Sequence, residues 1–130
     1  MTADFSVDVD TARDLVRIRM AGFFSREDFE RFVAAQVDAH RRLTCAANRH
    51  ATINDIRDLK IQTQEIVVAF RELLADPRYF SRRLAFVVGS GLTRSQLQRA
   101  LGSRPARCFN DPAEAEAWAL SKDDETAIAA

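Results

Sequence analysis

Hydrophobic and polar residues alternate at the start of the chain, in residues 5–9 and again in residues 16–20. Successive side chains of a strand point to opposite faces, so this period of two predicts two strands. The short polar segment 11–14 between them predicts an antiparallel hairpin with one solvated face. In that register Asp8 would lie opposite Arg17 on the exposed face, and the charge pair would help to fix the pairing.

Three further strands are predicted. Residues 84–88 are consecutively apolar, a pattern typical of a strand buried on both faces, and we expect the other elements to pack around it. Residues 106–109 form a short strand, and residues 50–56 alternate and form the most polar one. Asn54 and Asp55 near its C-terminal end either stop the strand or contribute to a ligand site, because ligands of open α/β sheets gather at carboxyl ends of strands.

Apolar residues recur at helical spacing in four segments. Ser25 and Thr63 are suited to cap the first two helices, and Pro112 follows Asp111 at the start of the last. His40 continues the apolar face of the first helix near its end, which indicates a boundary histidine and not a catalytic one. The predicted segments are residues 26–42, residues 63–76, residues 92–101 and residues 112–120.

The element order is a pair of strands, a helix, and then three units of strand and helix, or ββαβαβαβα. Such alternation implies right-handed crossovers between parallel strands. We therefore predict the α/β class, with a mixed five-stranded sheet that is mostly parallel, one antiparallel edge strand and four helices. Residues 4–121 are predicted to form a single domain. Residues 122–130 have one sizeable apolar residue, Ile128, and are predicted to be a disordered C-terminal tail.

The composition excludes several functional classes. The chain has 130 residues, the size of one domain, and its 19 bases balance its 19 acids. With no net charge, no long-range field draws the protein to nucleic acid or to an anionic membrane. No run approaches the roughly 18 apolar residues that span a bilayer, and no signal peptide precedes the first strand. We expect a cytoplasmic protein without a membrane span.

Candidate chemistry is sparse. Cys45 and Cys108 fit a reducing compartment without a disulfide, and with the two histidines they lack the spacing of a zinc site. Gly89 and Gly91 follow a buried strand but match neither nucleotide-binding fingerprint. The helix at 92–101 follows a strand, whereas a DNA-reading helix follows another helix. No two titratable side chains are spaced to share a proton, so we expect no enzyme, no metal and no cofactor.

Three stretches carry a family resemblance: residues 51–59, residues 84–88, and residues 107–120 with their phenylalanine, acidic turn, and Glu-Ala then Trp-Leu ending. With the element order, they resemble the STAS domains of bacterial anti-sigma-factor antagonists, and especially the SpoIIAA-like family of short stand-alone relatives. The resemblance implies this fold and a non-enzymatic domain that protein partners recognise or that bears a small ligand.

One motif departs from the family pattern. The resemblance implies a phosphorylatable serine, in an Asp-Ser-Ser-Gly-like sequence, at the start of the second helix. Residues 62–65 stand there and read Gln-Thr-Gln-Glu, so the serine, the acid before it and the glycine after it are missing. We therefore expect Thr63 to be a helix cap and not a phosphorylated switch.

The leading hypothesis is a regulatory or protein-interaction domain. Its predicted contact surface is the loop 57–64 with the exposed start of the second helix, where polar side chains follow a strand's carboxyl end. A protein partner is expected, and a homodimer is left open. The candidate interaction residues are Asp58, Lys60, Thr63 and Gln64.

The alternative is a carrier of a small apolar, lipid-like ligand. Nine phenylalanines give material for a pocket between helices and sheet. The same rings could instead only fill the core, which is the commoner use of buried phenylalanine. The candidate pocket residues are Phe23, Phe24, Phe29 and Phe80.

Overall fold

The computed structural model describes residues 2–89 and 91–122 of the chain. Ser90, in the predicted Gly89-to-Gly91 turn, and nearly all of the predicted disordered tail 122–130 lie outside the described residues. The elements, with a single 3-10 turn at Pro77–Tyr79, are β1 (Asp4–Asp10), β2 (Leu15–Gly22), α1 (Arg26–Arg42), β3 (Ala51–Leu59), α2 (Gln64–Leu74), β4 (Arg83–Val87), α3 (Gly91–Leu101), β5 (Arg107–Phe109) and α4 (Pro112–Leu120).

The five strands form one sheet in the order β1-β2-β3-β4-β5. β1 pairs antiparallel with β2 at one edge, and the other three pairings are parallel. The predicted fold class, including the antiparallel edge strand, is confirmed. β4 is buried on both faces as its apolar run predicts, but the middle strand is the more polar β3.

The hairpin register is confirmed, since Asp8 lies opposite Arg17. The predicted ion pair between them is wrong, because the Arg17 guanidinium binds the Glu116 carboxylate of α4 instead. α4 packs over this face of the sheet and brings a carboxylate to the arginine from above. A cross-strand pair that is exposed to water stabilises by only a few tenths of a kcal/mol, so it yields readily to such a contact.

β3 is longer than predicted. β2 continues to Gly22, and its last residues Ala21 and Gly22 pair with Asp58 and Leu59, so the backbone of β3 has hydrogen-bonding partners beyond Ile56. Gly22 itself has φ +80, and a Cβ there would overlap the Thr2 carbonyl oxygen, so both features favour glycine. The loop predicted at 57–64 is therefore only residues 60–63.

The helices cover the two faces of the sheet unequally. α1, α2 and α3 pack on one face and α4 alone packs on the other, so each face has its own hydrophobic core. We call the first the three-helix face. Its buried residues from the strands are Val16, Ile18, Met20, Ile56, Leu84, Phe86 and Val88. The face under α4 buries Leu15, Ala51, Ile53, Ala85 and Val87.

Candidate functional site

A cavity of about 90 Å³ lies within the three-helix face, between the sheet and the helices α1, α2 and α3. α1 contributes Phe32, Gln36 and His40, which are four residues apart and therefore lie in one row along the helix. A capping box fixes the start of this helix, with the Asp28 backbone N–H donating to Ser25 and the Asp28 carboxylate accepting from the Ser25 backbone.

The walls of the cavity are mostly apolar. The strands present their alternate residues to it, and α2 and α3 present the hydrophobic sides that their helical spacing predicts. An environment of this kind favours the apolar part of a small molecule. The apolar lining residues are Ile18, Met20, Phe32, Ile56, Leu59, Val67, Phe70, Leu73, Leu74, Leu84, Phe86, Leu97 and Ala100.

Asn54 is a polar residue of the cavity wall that lacks a complete set of partners. It lies in the middle of β3, is only 9% exposed, and its Nδ2 is 3.5 Å from the Met20 sulfur. Its Oδ1 is buried without a hydrogen-bond partner. A buried acceptor left unpaired costs about 1–3 kcal/mol, so this oxygen marks a position where a donor on a guest molecule would be stabilised.

Two histidines lie close together near the start of β3, and one of them, His40, lines that end of the cavity. The His40 ring lies edge-on to the His50 ring at 4.9 Å and to the Tyr79 ring at 5.0 Å. His40 Nδ1 is 3.0 Å from the Gln36 carbonyl oxygen, which can only accept, so Nδ1 carries the proton and Nε2 keeps a lone pair. His40 Nε2 and both ring nitrogens of His50 are buried without partners.

Both imidazoles are held neutral. Burial lowers the pKa of His50 to about 4, and the neighbouring His40 and Arg104 push it in the same direction. Burial also lowers the pKa of His40, with the Gln36 carbonyl opposing and Arg104 assisting. Neutral rings of this kind can form hydrogen bonds with a polar group. Among the described residues, no carboxylate shifts the pKa of His40 or of His50.

Arg104 lines the same end of the cavity, on the segment between α3 and β5. Its guanidinium donates to the carbonyl oxygens of Leu74 and Tyr79, each at 3.1 Å, and stacks over the Phe80 ring at 4.8 Å. Burial lowers its pKa to about 10, so it stays charged at neutral pH. Within the described part of the chain it has no carboxylate partner.

The opposite end of the cavity is closed by Gln62, in the loop between β3 and α2. Its side chain accepts from the Phe24 backbone N–H at 2.8 Å and donates to the Gly22 carbonyl at 3.0 Å. Its backbone exchanges two hydrogen bonds with the Gln96 side chain, at 2.8 and 2.9 Å. The loop is thereby tied to β2, to the start of α1 and to α3.

The predicted interaction residues lie at this end of the sheet, but on its outer surface. Asp58 is in β3 and its carboxylate is 3.3 Å from the Arg19 guanidinium. Lys60 follows in the loop, and Thr63 is the N-cap of α2, accepting from the Ile66 backbone N–H at 3.3 Å. Gln64 begins α2 and is exposed. The predicted cap is confirmed, and the role of these residues in binding stays a prediction.

The four predicted pocket phenylalanines lie around the cavity and not in its wall. Phe24 is fully buried against Phe32 and Phe70, and Phe29 packs edge-on to Phe70 at 4.9 Å. The other two are more peripheral: Phe23 is 40% exposed, and Phe80 lies under the Arg104 guanidinium. The rings that line the cavity are Phe32, Phe70 and Phe86.

Metal-binding clusters and membrane-spanning helices are both absent from the described residues. No group of three or more His, Cys, Asp and Glu side chains in this part of the chain is arranged to hold a metal ion. None of its helices has the length and hydropathy that a bilayer-spanning segment needs.

Comparison with solved structures decides the fold. An uncharacterised protein of the DUF3478 family from Shewanella loihica PV-4, whose structure has a SpoIIAA-like fold, superposes on this chain with a TM-score of 0.66. The alignment covers 90% of this chain and 94% of that one, at 15% sequence identity. This chain has a SpoIIAA-like fold. No protein-family model and no curated protein sequence matches the chain, so the similarity concerns the SpoIIAA-like architecture.

Sequence reasoning missed most of the polar residues of the cavity within the SpoIIAA-like fold. A signal was present for Gln36, a polar residue in the apolar row of α1, and for Asn54, which alternation places on one face of β3. Asp55, which was weighed together with Asn54, points to the opposite face and binds Arg57 at 2.7 Å. No local pattern indicates Arg104, because it stands in an irregular segment before Pro105.

Proposed function

We propose that this protein binds a small, mainly apolar ligand in the cavity of the three-helix face, without catalysing a reaction on it. The observation that carries the proposal is the cavity itself, with the unpartnered Asn54 Oδ1 in its wall. A cavity that no side chain fills and a buried acceptor without a protein partner both destabilise a folded chain. A guest with an apolar body and a hydrogen-bond donor would remove both costs.

The size and lining of the cavity limit the ligand. A dry core cavity of about 150 Å³ takes up benzene in an engineered protein, so a space of about 90 Å³ suits a short alkyl chain or a comparably small group. Its apolar surroundings favour such a chain through the hydrophobic effect, at roughly 25 cal/mol per Å² of apolar area removed from water.

Straight-chain alcohols from butanol to decanol are suitable probes, titrated into the protein while the backbone amide signals are followed by NMR. We expect saturable shifts confined to cavity-lining residues such as Asn54, Leu97 and Ala100, with an optimal chain length. The variant Ala100→Leu fills the cavity and should weaken binding about tenfold or more.

The matched control is Ala34→Leu, the same substitution at an exposed position of α1. It should bind the alcohols as the wild type does. Shifts that do not saturate, or equal binding by Ala100→Leu, would contradict a ligand site in this cavity.

A regulatory or protein-interaction role is the second candidate, and two exposed apolar side chains support it. Ile61 is 46% exposed in the loop 60–63, and Leu92 is 66% exposed at the start of α3. The hydrogen bonds between Gln62 and Gln96 hold this loop against α3. A mixed apolar and charged surface of the kind a protein partner binds is thereby made by Ile61, Leu92, Asp58 and Lys60.

This candidate is tested by affinity capture from the source cell. The double variant Ile61→Glu with Leu92→Glu should lose a protein that the wild type retains, and Val68→Glu should retain it. Val68 is the control because it is also apolar and 38% exposed, but lies in the middle of α2. The same proteins bound by all three would remove this surface from consideration.

A further inference from the structure

We infer that the ligand of the internal cavity carries a carboxylate, which Arg104 binds at the end of the cavity beside His40. The inference rests on the ligand-binding function proposed above and specifies the chemistry of that ligand. Three observations carry it: the unbalanced charge of Arg104, the absence of acids around it in the described residues, and the position of Arg104 among the residues that line the cavity.

The charge of Arg104 has only neutral partners. Its three hydrogen bonds to protein acceptors go to the carbonyl oxygens of Leu74 and Tyr79 and to the Ser81 hydroxyl, which do not use all the N–H donors of a guanidinium. A half-buried cation without a counter-charge is destabilising. The pKa of Arg104, which burial lowers to about 10, reflects this cost. An anion in the cavity would offset it.

The groups that face Arg104 add no negative charge. They come from three different elements: His40 on α1, His50 before β3 and Tyr79 in the 3-10 turn. Arg104 acts electrostatically on both histidines, and among the described residues no acidic side chain does so. This end of the cavity therefore has a positive potential that no described side chain neutralises.

Two hydrogen-bond acceptors in the cavity wall favour a donor on the ligand and not an anion. Asn54 Oδ1 and His40 Nε2 are unpartnered lone pairs, and taken alone they would favour an alcohol or an ammonium group. A hydrogen bond with an ionised partner is roughly twice as strong as a neutral one, so a bond to Arg104 equals the two neutral bonds together, and only an anion also offsets the charge of the guanidinium. The polar group of the ligand at Arg104 is therefore an anion, and Asn54 Oδ1 in the middle of β3 is left for a donor elsewhere on the ligand.

A carboxylate fits this position better than a phosphate. The carbonyl oxygens of Leu74 and Tyr79 already lie on the guanidinium, and they repel a dianion more strongly than a monoanion. The desolvation of a dianion is also costlier, and a cavity of about 90 Å³ leaves little room for a tetrahedral group with its water. A short alkyl carboxylic acid satisfies the size, the apolar walls and the charge together.

The experiment compares probes with the same short alkyl chain and different head groups: butanol, butanoate, butylammonium and butyl phosphate, titrated into the full chain at neutral pH by NMR. We expect butanoate to bind about tenfold more tightly than butanol, as a charge-assisted hydrogen bond would give, and butylammonium to bind more weakly than butanol.

Variants then assign the preference to Arg104. Arg104→Gln should bind butanol and butanoate equally, and Arg104→Lys, which keeps the charge, should retain the preference in part. The control is Arg99→Gln, at an exposed position of α3, which should keep the wild-type preference. If circular dichroism shows that Arg104→Gln does not fold, the inference is tested instead by Arg104→Lys and by the head-group series on the wild type.

The possible results separate this inference from the function on which it rests. Equal wild-type binding of butanol and butanoate, or an unchanged preference in Arg104→Gln, overturns the carboxylate and leaves the cavity function standing. Tighter binding of butyl phosphate than of butanoate overturns the choice of head group. Binding of no probe at all overturns both proposals.

Discussion

His50 is a fully buried imidazole whose two ring nitrogens have no hydrogen-bond partner. Its pKa falls from the ordinary 6.5 to about 4 because burial disfavours the charged ring. The unfolded chain therefore binds a proton between these two values that the folded chain does not. The contribution of the neutral ring to stability is fully present above pH 6.5 and is lost as the pH falls towards 4.

We predict that the free energy of unfolding decreases by on the order of 3 kcal/mol as the pH falls through this window. Urea unfolding at a series of pH values measures it. His50→Leu should make the profile much flatter, because the remaining titration is that of His40, whose pKa is lowered in the same direction.

Carboxyl groups provide the control for this prediction. Hydrogen bonds from Arg57 lower the pKa of Asp55 below its ordinary 3.8, so its stabilising contribution is lost only at more acidic pH. Asp55→Asn should accordingly leave the histidine window unchanged. A stability that is constant from neutral pH down to 4 in the wild type would contradict the burial of a neutral His50.

Thr63 shows what a single residue type predicts from sequence. A threonine before an amphipathic segment predicts a helix cap, and its hydroxyl does accept from the Ile66 backbone N–H. The neighbouring Gln62 gave no such signal, although its side chain is buried and ties the loop to β2 and to the segment before α1. The difference is physical: a cap acts within its own helix, whereas Phe24 and Gly22, which the Gln62 side chain binds, lie about 40 residues earlier in the chain.

At the scale of elements, the loop 60–63 is held by Gln62. The variant Gln62→Leu keeps approximately the same volume but leaves the buried Phe24 N–H without its partner, whereas the Gly22 carbonyl still accepts from the Lys60 backbone N–H. An unsatisfied buried group costs about 1–3 kcal/mol, and we expect a loss of that size. Thermal and urea unfolding of the two proteins measure the difference.

Gln64→Leu is the matched control, because Gln64 is exposed two residues further along. It should change stability by less than about 0.5 kcal/mol. A comparable loss in both variants would mean that the Gln62 hydrogen bonds do not hold the loop.

The boundaries of β3 show where element prediction reached its limit. Alternation predicts a strand at residues 50–56. Asn54 and Asp55 are also residue types that end strands, so the pattern does not fix where the strand stops. In the structure β3 continues to Leu59 because β2 runs alongside it to Gly22. The length of a strand depends on its neighbour's backbone groups, and the residues of the strand itself do not specify them.

At the scale of the whole molecule, the unequal covering of the sheet creates the cavity. α4 presents Ala115 and Ala119 to its face, and these small side chains let it pack closely. On the other face, three helices with larger side chains meet over one surface. Between them and the sheet remains the space that Asn54, His40 and Arg104 line.

The sequence by itself determined the number, type and order of the elements, the hairpin register and the antiparallel edge strand. These follow from periodicity and capping, which act over a few residues. Only the tertiary structure decided that β3 is the middle strand, that Arg17 binds Glu116, and that His40, Asn54 and Arg104 line one cavity. Those three residues lie on a helix, a strand and an irregular segment, and their proximity results from how the layers pack, which no local pattern encodes.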